Sequence, residues 1–184
     1  MAPLARDFED MLRDSERARF RVLDWLKEQG LDVELGDPPI DTPREPNHID
    51  LGDIHIHING KTGRIESKHN RDYNYKKWQD YHTDRIFIDS MWHIHHYPYK
   101  YPLCGYALVN QSITGLFWVP GFWKPRWFTT EDVYTEYDKK DKVFCAMSKD
   151  FLHGMYYSME HHDKLPLDLV CIGTNGFTEP DFGE

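Results

Sequence analysis

Ile54, His55, Ile56, His57 and Ile58 alternate apolar and polar side chains, the period-two signature of a strand with one buried face. Asp53, His55 and His57 then share the polar side. A second run, Gly63-Arg64-Ile65-Glu66-Ser67-Lys68, follows after a Gly-containing turn. Here Glu66 and Lys68 point one way, and Ile65 and Ser67 the other. Closing the hairpin through Asn59-Gly60-Lys61-Thr62, with Gly60 at the first central position of a type II′ turn, sets the expected register. It puts Asp53 opposite Lys68 and His55 opposite Glu66. A slip of one residue would send the acids and the lysine to opposite faces.

Two carboxylates and an amine on one patch of sheet offer hard oxygen ligands to a divalent cation such as Mg²⁺. The ammonium beside them can stabilise developing charge or position a water, which suits phosphodiester hydrolysis. Gly52-Asp53, followed by Ile65-Glu66-Ser67-Lys68, resembles the PD-(D/E)xK nuclease superfamily. Junction resolvases and phage or restriction-type endonucleases belong to it. Gly52 stands where the name-giving proline often does. The resemblance implies metal ligation by Asp53 and Glu66, catalytic assistance by Lys68, and Mg²⁺ or Mn²⁺ as cofactor. It also implies a contribution from a glutamate on the first helix, for which Glu16 is the candidate and Glu9 the second. His55 is assigned a supporting role behind Glu66.

A chain of 184 residues with 40% hydrophobic and 15% aromatic content can bury a core as one domain. The expected domain spans 1–172, with a loose tail at 173–184. No run approaches the length of a membrane span, and the first ten residues lack a signal-peptide pattern. Three widely spaced cysteines give no CxxC pattern and suit a reducing compartment. A soluble, cytoplasmic protein is the expectation. The net charge of −9 argues against a nucleic-acid enzyme, because phosphate binding usually leaves a basic patch.

Apolar residues recur at helical spacing from Leu4 to Gln29, with a break near Asp14-Ser15 and Gly30 as C-cap. Leu31 to Leu35 reads as a short strand, and the proline-rich stretch after Gly36 as a loop over the site. Arg71, Lys76 and Lys77, interleaved with Tyr73, Tyr75 and Trp78, form the basic cluster nearest the site. Arg71, Tyr73, Lys76 and Lys77 are the candidate nucleic-acid contacts. A helix in this region, crossing to a core strand at 84–89, would complete the nuclease order of elements. Strands are expected at 105–110 and 114–119, a helix start at Thr130-Glu131-Asp132, and strands at 143–147 and 167–172. Residues 91–102, rich in His and Tyr, read as an aromatic lid or a substrate surface, with a zinc ligand set as the other reading.

The expected fold is therefore α/β, with a mixed central sheet flanked by helices as in the restriction-endonuclease core. The expected function is metal-dependent cleavage of DNA, and analogy with relatives admits a homodimer. Two alternatives stay open: a non-catalytic binding or assembly module of the same fold, and a histidine-ligated metal hydrolase.

Overall fold

The computed structural model describes residues 4–36, 52–70, 74–81, 85–90, 99–122, 128–134, 139–148, 155–170 and 172. Its one α-helix among these residues, α1 (Leu4–Glu28), runs unbroken through Asp14-Ser15. Ala18, Val22, Leu23, Trp25 and Leu26 form its buried stripe, spaced as one helical face requires. The helix ends in a Schellman motif: Leu31 N–H donates to Leu26 O and Gly30 N–H to Lys27 O. Gly30 takes the left-handed φ of 79° that this stop needs.

The central sheet is mixed, with six strands in the order β1-β2-β3-β5-β6-β9. These are β1 (Val33–Leu35), β2 (Ile54–Ile58), β3 (Lys61–His69), β5 (Leu103–Val109), β6 (Gly115–Pro120) and β9 (Tyr156–Ser158). β3 and β5 run parallel, and the other neighbours in this sheet run antiparallel. A second sheet carries β4 (Arg85–Ser90), β7 (Phe128–Tyr134) and β8 (Lys139–Ser148) in the order β4-β8-β7.

The central sheet buries both faces. Ile54, Ile56, Ile65, Ala107, Val109, Leu116 and Trp118 pack with the α1 stripe. Leu103, Tyr106, Leu108, Phe117 and Val119 pack on the other side with Ile86 and Ile88 of β4 and with Tyr75 and Tyr81. A helix covers one face and a smaller sheet lies over the other, so the α/β class holds. No helix among the described residues is long and apolar enough to cross a membrane.

Several expected elements differ. The 85–90 strand does not join β3 in parallel; β5 does that, and β4 pairs antiparallel with β8. The crossover from β3 to β5 carries β4 and a 3₁₀ turn at Trp78–Asp80 where a helix was expected. Thr130-Glu131-Asp132 lies inside β7, where pairing with β8 outweighs a helix-start signal only three residues long. Leu167–Leu169 is a 3₁₀ turn instead of a strand. The proline-rich loop and the 173–184 tail lie outside the described residues.

Candidate active site

The β2–β3 hairpin closes more tightly than expected. Asn59 and Gly60 both have positive φ, 51° and 75°, the mark of a two-residue type I′ turn. Ile58 consequently pairs with Lys61, Ile54 with Ile65 and His55 with Arg64. The register is displaced by two residues from the expected one. Because strand side chains repeat every two residues, Glu66 and Lys68 keep a common face of β3. Asp53 itself precedes β2, and its carboxylate meets β3 at Ser67 N–H, between Glu66 and Lys68.

Backbone contacts on both sides fix Asp53. Its carbonyl accepts from Gly36 N–H at the end of β1 (3.0 Å), and its carboxylate Oδ2 accepts from Ser67 N–H on β3 (2.7 Å). Gly52, just before it, has φ 86°, which proline cannot adopt. A Cβ at Gly52 would also stand 2.6 Å from Cβ of Arg64. Glycine at 52 is thus a requirement of this backbone: the chain passes flat over the stem of Arg64.

Glu66 is buried and accepts from Arg64 Nε at 2.9 Å. The Arg64 guanidinium also donates to the Tyr101 carbonyl (2.6 Å) and stacks 3.6 Å from the centre of the Tyr99 ring. Sequence reasoning gave His55 the place beside Glu66. Arg64 is bonded to Glu66, and His55 packs edge-on to Tyr101 and lies 3.6 Å from Glu34. His57 contacts Thr62 Oγ1 and Glu34.

Lys68 reaches Asp89 of β4, with Nζ 3.2 Å from Oδ2. Its side chain is 39% exposed and that of Asp89 only 7%. The Tyr106 hydroxyl donates to the same Asp89 oxygen at 3.4 Å. Burial pulls the Lys68 pKa down, but the carboxylates of Asp89, Glu66 and Asp53 together outweigh it and leave it above the ordinary lysine value. All three acids therefore act on one ammonium. Burial, with Asp89 and Glu66 nearby, likewise holds the Tyr106 hydroxyl well above the usual tyrosine range and keeps it a proton donor.

Asp89, Arg64 and Tyr106 were not among the residues singled out from the sequence. The pairing of β4 with β8 shifts register between Phe87 and Asp89, and such a shift re-aims the side chain that follows it. Phe87 is exposed whereas Asp89 is buried, so plain alternation gives no sign of Asp89's direction. Glu16 forms an ion pair with Arg19 on α1 at 2.8 Å. Lys76 and Lys77 are exposed. Arg71, Tyr73 and residues 91–98 of the His/Tyr-rich segment lie outside the described residues, as does the Glu9 side chain.

Among the described residues, no three His, Cys, Asp or Glu side chains are gathered closely enough to hold a metal ion. Mg²⁺ asks less of a protein than that. One or two carboxylates suffice when waters and a substrate phosphate fill the remaining positions, and Asp53 with Glu66 would be the candidate donors. No family model matches the chain, and neither the curated proteins nor the solved structures contain a match to it.

Proposed function

We propose that this chain is a metal-dependent endonuclease that hydrolyses DNA phosphodiester bonds. The observation that carries the reading is that the Asp53 carboxylate accepts from Ser67 N–H at 2.7 Å, between Glu66 and Lys68 on β3, and that all three acids around Lys68 favour its charged form. Asp53 and Glu66 would hold Mg²⁺ or Mn²⁺, and Glu16 is kept as a further ligand on the resemblance alone. A bound cation supplies Lewis-acid polarisation of a phosphoryl oxygen and a more acidic water. Lys68 stays protonated beside it, orients the attacking water and offsets charge building on the phosphate. Lys76 and Lys77, exposed on the segment after β3, give the DNA backbone a cationic contact, joined by Arg71 and Tyr73 on the sequence reading.

A second reading, a DNA-binding module without catalysis, draws on the Arg64–Glu66 pair, since one of the two carboxylates already carries a fixed cation. Incubation of the purified protein with supercoiled plasmid and Mg²⁺, Mn²⁺ or EDTA separates the two. Nicking or linearisation only with metal supports the nuclease. A gel shift of the plasmid with no cleavage in either metal supports the binding module.

A further inference from the structure

The Lys68 ammonium is met from the opposite sheet. Asp89 comes from β4, lies almost wholly buried, and places Oδ2 3.2 Å from Lys68 Nζ. Burying a carboxylate is costly unless it is paired and hydrogen-bonded, and Asp89 has both Lys68 and the Tyr106 hydroxyl. The register shift that leaves Ile88 without an opposite residue on β8 is what separates buried Asp89 from exposed Phe87. The groups acting on this ammonium are Asp53 before β2, Glu66 on β3 and Asp89 on β4. Tyr106 on β5 and Arg64 on β3 adjoin it through Asp89 and Glu66.

We propose that Asp89 is a positioning residue: it draws the Lys68 amine toward the second sheet and holds it there, 3.2 Å from Oδ2. The inference rests on the nuclease reading above. A lysine has a flexible four-carbon stem and a point charge, and if it settled on Asp53 or Glu66 it would compete with a divalent cation for the same oxygens. Asp89 supplies a third carboxylate outside that pair and holds the amine in one place for the incoming phosphate.

The test uses the full chain with two readouts. Limited acylation with acetic anhydride, followed by peptide mass mapping, reads how firmly Lys68 is held, and plasmid cleavage with Mg²⁺ reads the reaction. Asp89→Asn keeps the volume and removes the charge. Its Lys68 is expected to acylate several-fold faster. Its kcat should fall about 100-fold, as small misplacements of a catalytic group can cause, with KM for DNA unchanged. Asp89→Glu is expected to recover much of the loss. Tyr106→Phe, which removes one hydrogen bond to Asp89 and keeps the charge, should move both readouts less and in the same direction, and serves if the Asn variant fails to fold. Acylation of Lys68 at the wild-type rate in folded Asp89→Asn overturns the inference whether or not DNA is cut. Faster acylation with undiminished kcat overturns the positioning role alone. Faster acylation in a chain whose wild type cuts no DNA overturns the nuclease reading, and the role defined on it falls as well.

Discussion

Arg64 Nε donates to Glu66 Oε1 across 2.9 Å, and each side chain is only 6% exposed. The acid at the centre of the site is therefore held by a permanent charge from its own strand. Removing one partner of a buried pair strands the other, at a cost of about 3 to 5 kcal/mol. Arg64→Met should lower the urea-unfolding free energy by that amount. Tyr99→Ala, which removes the stacked ring, should lower it by about 1 kcal/mol. A change below about 1 kcal/mol in Arg64→Met would mean that the pair is not buried as described.

Gly52 joins the acid-bearing strand to the Arg64 stem. Its φ of 86° costs a residue with a Cβ about 1 to 2 kcal/mol, and the Cβ would meet Arg64 at 2.6 Å. Gly52→Ala should destabilise by at least about 2 kcal/mol in the same urea experiment, and Gly52→Pro by more. Gly60→Ala is the control: it carries the φ penalty, but nothing lies within 4 Å of its added Cβ. Equal losses at the two positions would contradict the close passage over Arg64.

The alternation of Ile54, Ile56 and Ile58 revealed the hairpin, and the two-residue spacing of Glu66 and Lys68 put them on one face of β3, because burial enforces a two-residue repeat locally. The exact register was not legible, since Asn59-Gly60 and Gly60-Lys61 are both workable turn centres and only packing selects between them. Asp89 was hidden for another reason. Its direction depends on a shift against β8, more than fifty positions away along the chain, which no local pattern encodes. Thr130-Glu131-Asp132 shows the same limit from the other side: a short capping signal yields to long-range pairing.

Alkaline pH should unfold the protein through its tyrosines. Burial, then Asp163, Asp80 and Glu160, push Tyr156 up to about 12. Burial, with Tyr81 and Tyr156 beside it, pushes Tyr75 well above the ordinary value, and Tyr75 donates its hydroxyl hydrogen to the Leu108 carbonyl. A pKa raised on folding means that the native state holds the proton more tightly. That stability is fully present below the unfolded value, about 10, and is lost as pH rises through the folded one. Lys68, also raised, adds a contribution of the same sign. The urea midpoint should stay level with respect to these groups from pH 7 to about 10 and fall steeply toward pH 12. Tyr156→Phe should flatten part of the fall, and an identical profile in that variant would contradict the assignment.

The histidines give a separate check. His57 is engaged by Thr62 and Glu34, and His55 by Glu34 and by Tyr101 just before β5, contacts that tie β2 to its neighbours. Elemental analysis after dialysis should find no stoichiometric zinc. One equivalent retained would favour a histidine-ligated hydrolase.

Cleavage of supercoiled plasmid in Mg²⁺ by wild type, Glu66→Gln and Lys68→Ala, all at matched folded fraction, bears on the proposed chemistry without intermediates. Wild type should cut, and each variant should lose at least about 100-fold in rate, the low end for removing a group that acts in the transition state. Wild-type rates in both variants, or no cutting by any of the three, would show that Asp53, Glu66 and Lys68 do not form a hydrolytic site.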